Sequence, residues 1–212
     1  MSVISLPDQA QIPQHVRASN NRFHWTVDTF YRAVDAGVFD EPKRLELVYD
    51  GLREKETANP PHAATTRRVS RHVQGLFEPQ FIVHEEKPVR LGNDTEPLPD
   101  IAVVSGADED YELRHPNAQD VILLIEVADT TTDYDTGEKA RMYARSGVND
   151  YWVVLISQRE LVVFRSPTTE GYASQMRLTE TDSIALLAAP DITISVRDLL
   201  PRASPTTSVQ EG

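Results

Sequence analysis

Apolar residues recur with helical spacing in two stretches near the beginning of the chain. Residues 26–38 carry them at positions 27, 30, 31, 34 and 38, with Gly37 near the end. This spacing predicts a short amphipathic helix. A second apolar stripe follows Pro60 and Pro61, at positions 64, 69, 73, 76 and 77. Because proline is favoured in the first turn of a helix, a second helix is predicted from there to residue 77.

Strand-like segments follow each predicted helix. The sequence LELVYDGLREKE contains Asp50-Gly51 between two such pieces, which is a strong signal for a hairpin. The segments FIVHE, PVRLG and LPDIAVV are rich in β-branched residues and are punctuated by turn residues. They are predicted to form an antiparallel meander.

The most apolar segment, DVILLIEV at residues 120–127, is typical of a strand covered on both faces and is predicted to be central. After it, Asp135 and Glu138 have the spacing of a capping box, and the helix they predict ends near Gly147. The strands YWVVLI and ELVVFRS follow. A strand–helix–strand passage of this length allows a parallel crossover, so the sequence predicts an α/β fold with a mixed sheet flanked by helices.

Length and composition indicate one globular unit. The 212 residues suit a single domain, expected over residues 25–202, with flexible segments at 1–24 and 203–212. Cysteine is absent, the first residues do not resemble a secretion signal, and no apolar run is long enough to cross a bilayer. A cytoplasmic protein without membrane contact is therefore expected. The net charge of −12 means that any contact with a polyanion must be local.

Two carboxylates stand in apolar surroundings. Glu126 lies inside the most apolar strand, where desolvation makes an unpartnered charge costly, and Asp100 follows Pro99 at the start of IAVV. If these strands are neighbours, the carboxylates converge, and their repulsion favours a cation such as Mg²⁺, which prefers oxygen ligands. The alternatives are that Glu126 marks a strand end that reaches solvent and that Asp100 is a turn or cap residue. The sequence contains no zinc-ligand spacing, phosphate loop or nucleophile elbow.

Glu46 and Lys139 are less distinctive by themselves. Glu46 lies between two leucines and fits an ordinary outward-facing strand residue as well as a site residue. Lys139 lies four residues after Asp135, the spacing of a surface ion pair on a helix. However, Met142 and Tyr143 provide apolar neighbours on the same helix face, which favours a lysine directed toward the sheet.

Three segments, taken in order, have a distinctive sequence: RLELVYDG, VRLGNDTEPLPDIAVVSG and VILLIEVADTTTDYDTGEKARMYARSGVNDYWVVL. Together they resemble the Uma-two family of restriction-endonuclease-like proteins, within the PD-(D/E)XK nuclease superfamily, and the similarity covers about residues 26–166. The resemblance implies that Pro99-Asp100 is the PD element and that Glu126 is the second acidic residue. It also implies that Glu46 is the acidic residue of the early hairpin and that Lys139 is the lysine.

One position departs from the nominal motif, which places a lysine two residues after Glu126, where this chain has Ala128. The resemblance implies that the lysine has moved to the next helix, where Lys139 lies within GEKARMYARSG. His62 and Tyr143 are expected as auxiliary site residues. His62 lies where the family has a histidine, but its context, NPPHAAT, matches poorly, and a structural role at the helix start is an equal alternative.

The resemblance implies a Mg²⁺- or Mn²⁺-dependent endonuclease that hydrolyses phosphodiester bonds of nucleic acid, with DNA as the expected partner. The three acidic residues would hold the metal, and the lysine would orient water or neutralise charge on the phosphate. A catalytically inactive nuclease fold acting as a binding or regulatory module is the alternative, with homodimerisation along an exposed strand left open. A hydrolase of small phosphoesters is a third hypothesis.

Basic residues on two predicted helices are candidates for contact with nucleic acid, despite the acidic chain. They are expected near the cleft, although a solvated helix face explains them equally well. The candidates are Arg67, Arg68, Arg71 and Arg141.

Overall fold

A computed structural model describes residues 23–202 of the chain. The two segments expected to be flexible lie outside the described residues, except for Phe23 and His24. The first helix, α1, spans Val27–Asp35, and the Thr26 side chain caps it by accepting a hydrogen bond from the Thr29 N–H. The helix ends before Gly37, whose φ of +70° suits glycine.

A two-stranded hairpin follows α1 and a short 3₁₀ turn at Pro42–Arg44. Strands β1 (Leu45–Val48) and β2 (Gly51–Glu54) pair antiparallel, with Val48 opposite Gly51. The turn residues are therefore Tyr49 and Asp50, with φ of +47° and +61°, one position before the predicted Asp50-Gly51 turn. Positive φ at both residues matches the right-handed twist of the flanking strands.

Helix α2 spans Pro60–Phe77, and Asn59 caps it by accepting the His62 N–H. Val69, Val73 and Phe77 are buried, as the apolar stripe predicted. Ala64, however, is exposed, because the buried face continues instead through residues 65, 66 and 70, which are threonine and serine. The buried face repeats every three to four residues, as expected of a helix lying on a sheet.

The main sheet has six strands in the order β3-β4-β5-β6-β7-β8. Only β5 and β6 are parallel; the other neighbours are antiparallel, so the predicted mixed sheet is confirmed, and β5 is internal. The bounds are β3 Ile82–Glu85, β4 Ile101–Val104, β5 Val121–Ala128, β6 Asp150–Leu155, β7 Glu160–Pro167 and β8 Tyr172–Thr179. A 3₁₀ turn, Asp108–Tyr111, lies between β4 and β5.

The segment PVRLG is not a strand of this sheet, contrary to the predicted meander. Its residues form a loop in which the Val89 N–H donates to Pro97 O and the Leu91 N–H to Thr95 O. Pro88, Pro97 and Pro99 punctuate this region, and proline cannot donate to a strand ladder. The loop instead contacts β1, through reciprocal hydrogen bonds between the backbones of Leu47 and Glu96.

The crossover from β5 to β6 is helical, but it begins before the predicted capping box. It consists of a turn of helix α3 (Thr132–Tyr134), a π-helical turn (Asp135–Lys139) and helix α4 (Ala140–Arg145). Asp135 therefore lies within the helical segment, where its side chain accepts a hydrogen bond from Thr131, and does not cap the helix. Gly147, with φ of +82°, follows the helix end as predicted.

Residues after β8 complete the fold. Strands β9 (Ser183–Leu186) and β10 (Ala189–Ser195) pair antiparallel and lead into a short helix, α5 (Val196–Leu199). They join α2 in covering one face of the sheet, while α4 packs on the other face. Within residues 23–202, no helix combines the length and apolar character needed to cross a bilayer.

Candidate active site

Strand register brings Asp100 and Glu126 together. Ile101 pairs with Ile125 across the antiparallel strands β4 and β5, so the residues one step outward, Asp100 and Glu126, are neighbours on one face. Both residues are buried, each 2% exposed. The Asp100 N–H lies 3.4 Å from Glu126 Oε2, and the Val127 N–H donates to Asp100 Oδ2 at 2.8 Å. Burial of Glu126 also shows that it does not mark a strand end in solvent.

Lys139 and Tyr143 reach this pair from the crossover helix. Lys139 Nζ lies 2.8 Å from Glu126 Oε1, and Tyr143 OH donates to the same oxygen at 2.8 Å. The two residues are four positions apart on one helix face, and that face packs on the side of β5 where Glu126 points. Lys139 is only 4% exposed, so it is not part of a surface ion pair.

Glu46 enters from the hairpin. The bridge between β1 and the loop before β4 brings it against the same cluster, where Glu46 Oε1 accepts the Leu98 N–H at 2.9 Å. Lys139 Nζ lies 3.6 Å from that oxygen. Glu46, Asp100, Glu126 and Lys139, which are distant along the chain, therefore line one pocket.

Lys55 is a pocket residue that the sequence analysis did not identify. Its ammonium group donates to Asp100 Oδ1 at 2.8 Å and to Leu98 O at 3.1 Å, and it lies 3.6 Å from Glu86. The residue follows β2 directly, so the hairpin that brings Glu46 also brings Lys55. In the sequence it stands in the polar run REKE, where nothing distinguishes it from a solvated lysine.

Asp135 is another pocket residue outside the predicted site. Its sequence spacing predicts a helix cap, but it is 4% exposed and lines the pocket close to Lys139. Burial, together with the charges of Asp100 and Glu46, raises the pKa of this carboxyl group, although Lys139 and Thr131 oppose the change. Four buried carboxylates therefore share the pocket, not three.

His62 faces the site from the first turn of α2. Its Nε2 lies 3.1 Å from Asp100 Oδ2, so it is adjacent to the cluster as expected of an auxiliary residue. Burial opposes ionisation of Asp100, yet the hydrogen bond from His62 and the charge of Lys55 together hold the pKa of Asp100 well below its usual value. Burial lowers the pKa of His62, but the hydrogen bond and charge of Asp100 outweigh it and raise that pKa.

The pKa of Glu126 shifts in the opposite direction to that of Asp100. Burial raises the pKa of Glu126 to about 8, supported by the charges of Asp100 and Asp135 and opposed by that of Lys139. Burial also opposes protonation of Lys139, but the surrounding carboxylates raise the pKa of this lysine well above its ordinary value. The lysine is therefore a fixed cation, and Glu126 is a carboxyl group whose charge depends on its neighbours.

The donor set suits a hard divalent cation. Four buried carboxyl groups and two ammonium groups, those of Lys55 and Lys139, meet in this pocket, so the cluster offers the oxygen ligands that Mg²⁺ prefers. Among residues 23–202, no three acidic or histidine side chains are already gathered into an ion-binding geometry. Lys55 contacts one oxygen of Asp100 and Lys139 contacts one oxygen of Glu126, so an ion would share these carboxylates with the ammonium groups.

The candidate nucleic-acid contacts do not line this pocket. Arg67, Arg68 and Arg71 line a separate groove on the outer face of α2, and Arg141 is exposed on α4. The pocket itself has room for about 70 Å³ of solvent, enough for ions and a few waters. A polymer substrate would have to lie across its mouth.

These features define a restriction-endonuclease-like α/β protein: a six-stranded mixed sheet with helices on both faces and buried acidic residues and lysine at one end of the parallel strands. A family model described as Uma2, "Putative restriction endonuclease", matches residues 27–197. The chain belongs to this family.

A solved structure has the same fold. It is described as the crystal structure of "a putative nuclease belonging to DUF820" from Anabaena variabilis, with a TM-score of 0.66 and 16% sequence identity. The alignment covers 82% of this chain and 97% of that one. No curated protein matches the chain.

Proposed function

We propose that the chain is a Mg²⁺- or Mn²⁺-dependent endonuclease that hydrolyses phosphodiester bonds of DNA. One observation carries this proposal: Glu46, Asp100, Glu126 and Lys139 come from four separate elements, and all are at most 4% exposed in one pocket. Isolating charged groups from water is costly, so a cluster of this kind is typical of functional sites. The family and the nuclease-like fold support a nuclease.

Within this proposal, Glu46, Asp100 and Glu126 would hold the divalent ion. A bound divalent ion would lower the pKa of a coordinated water and offset the charge that grows on the attacked phosphate. Lys139, held by Glu126 at 2.8 Å, is a fixed cation that stabilises negative charge on the phosphate oxygens or orients the attacking water. No covalent intermediate is needed.

The remaining pocket residues position these groups. Tyr143 fixes one oxygen of Glu126, and Lys55 and His62 hold the two oxygens of Asp100. The carboxyl groups of Asp100 and Glu126 thus keep a defined orientation before substrate binds, which reduces the reorganisation required for reaction.

The proposal is tested with a panel of substrates: plasmid, single-stranded DNA, RNA and a chromogenic phosphodiester, each with Mg²⁺, with Mn²⁺ and with chelator. Metal-dependent cleavage of plasmid is expected. Cleavage of the chromogenic compound alone would indicate a hydrolase of small phosphoesters. Absence of all cleavage, with no change of melting temperature at millimolar metal, would favour a binding module.

The Glu126→Gln variant is expected to abolish metal-dependent cleavage while its melting curve stays cooperative, because glutamine preserves the shape of the side chain but cannot ionise to hold a cation. Glu112→Gln, at an exposed glutamate, is the matched control and should cleave normally. Calorimetry provides the independent readout. An affinity for Mg²⁺ or Mn²⁺ that is unchanged in Glu126→Gln would contradict the assigned role.

A further inference from the structure

Helix α2 carries a basic stripe that the proposed chemistry does not use. Residues 64, 67, 68, 71 and 72 follow one another at alternating spacings of three and one, so they share a single helix face, opposite the face buried on the sheet. Three of them are the arginines Arg67, Arg68 and Arg71. These residues form one wall of a groove with a volume of about 1120 Å³.

The opposite wall adds three more arginines from distant parts of the chain. Arg159 lies in the turn between β6 and β7, Arg197 lies on α5, and Arg202 follows α5. Six of the 17 arginines in the sequence thus line one groove, against two acidic residues, Glu180 and Asp198. In a chain of net charge −12, this concentration of positive charge is a pronounced local reversal.

Most of these guanidinium groups are available for a ligand. Arg159 is held in place, by Glu180 and by Pro201 O at 2.9 Å, and it shapes the groove wall. By contrast, Arg67, Arg71, Arg197 and Arg202 are exposed, and none of them forms an ion pair within residues 23–202. Arg68 Nε also has no hydrogen-bond partner in the same described part of the chain, but it is buried and would have to move to reach a ligand. Unused arginine donors facing one groove suit the bidentate binding of phosphate.

We propose that this arginine groove binds the phosphate backbone of a nucleic-acid duplex and holds it against the neighbouring carboxylate pocket; the inference rests on the proposed function. The pocket is acidic and by itself repels a polyanion, so an anchoring surface outside it is required. Helix α2 connects the two: His62 faces the pocket, and Arg67 to Arg71 lie about 7.5–13.5 Å further along the axis at the usual rise per residue. That distance corresponds to about two to four base pairs.

The lining favours a duplex over a single strand. Surfaces that bind single strands combine positive charge with aromatic rings on which bases stack. No Phe, Tyr or Trp is among the described residues that line this groove, whose uncharged members are Ala64, Leu200 and Pro201, with His72 beside them. Contacts limited to phosphates would also make binding independent of base sequence.

The experiment measures the anisotropy of labelled DNA, duplex and single-stranded, with wild-type protein in chelator, over a range of salt concentrations. Arg67→Ala/Arg71→Ala is expected to weaken duplex binding at least tenfold. It should also reduce the slope of log affinity against log salt by about 2, because each lost phosphate contact removes about 0.9. Arg197→Ala, on the other wall, is expected to act in the same direction. Arg32→Ala/Arg177→Ala removes the same charge from exposed positions elsewhere and should change binding less than twofold.

Equal weakening by the two double variants would show a general charge effect and would overturn the assignment of the groove. Tighter binding of single strands than of duplex, or no binding by wild-type protein, would also overturn it. These measurements are made in chelator and do not involve cleavage, so they test the groove separately from the nuclease proposal. If the protein cleaves DNA in the presence of metal but its duplex binding does not change in Arg67→Ala/Arg71→Ala, the assignment of the groove is refuted and the nuclease proposal is unaffected.

Discussion

Replacing Lys139 with methionine tests the electrostatic account of the pocket most directly. The ammonium group lies 2.8 Å from Glu126 and 3.6 Å from Glu46, and it is buried, so its loss leaves acidic groups without their central cation. Removing one partner of a buried ion pair costs about 3–5 kcal/mol. For a domain of this size, that corresponds to a fall in melting temperature of about 6–20 °C.

The loss of stability in Lys139→Met should depend on pH in a defined direction. Burial raises the pKa of Glu126 from 4.5 to about 8, so the folded state binds this proton more tightly than the unfolded chain. The resulting stabilisation is complete below the unfolded pKa of 4.5 and is lost as the pH rises through about 8. Lys139 is the cation that allows Glu126 to ionise in the folded state. The deficit of Lys139→Met relative to wild type is therefore expected to be larger at pH 9 than at pH 6.

The assay is urea unfolding, monitored by circular dichroism at both pH values, with Lys87→Met as the matched control because Lys87 is exposed. The control should stay within about 0.5 kcal/mol of wild type, as is usual for surface substitutions. A loss for Lys139→Met of less than about 1 kcal/mol, the range of exposed ion pairs, would refute the reasoning. So would a deficit that shrinks toward high pH.

Two further predictions concern the same pocket. Millimolar Mg²⁺ or Mn²⁺ is expected to raise the melting temperature of the wild-type protein, because metal at 100 times its Kd adds about 2.7 kcal/mol to the free energy of unfolding. The Glu126→Gln variant should show a smaller shift in melting temperature. Equal shifts in the two proteins would contradict metal binding at this carboxylate. Lys55→Met removes a cation that helps to hold the pKa of Asp100 low. The cleavage rate should therefore fall, and the acidic limb of the pH–rate profile should move to higher pH. Lys55→Arg should restore both the rate and the position of the acidic limb. Lys43→Met, at an exposed lysine, is the control, and an unshifted profile in Lys55→Met would show that Lys55 acts only on stability.

The sequence by itself determined much of the architecture, because local patterns record which faces are buried. The unbroken apolar run around Glu126 predicted an internal strand, and a strand–helix–strand passage predicted the parallel crossover. Local patterns were less reliable where backbone pairing depends on distant residues. PVRLG has strand composition, yet prolines and hydrogen bonds to residues 95 and 97 make it a loop.

Only the tertiary structure decided which polar residues meet. Glu126 and Asp100 could be singled out because charge in an apolar strand is costly, and the strand register then placed them side by side. Lys55 and Asp135 stand in polar stretches that resemble solvated surface, and only the docking of the hairpin and the helix buries them. The arginines of α2 show the reverse: the helix period placed them on one face, but Arg159, Arg197 and Arg202 come from elements brought near only by folding. A local pattern fixes the face of an element, whereas the partner of that face depends on contacts between residues far apart in the chain.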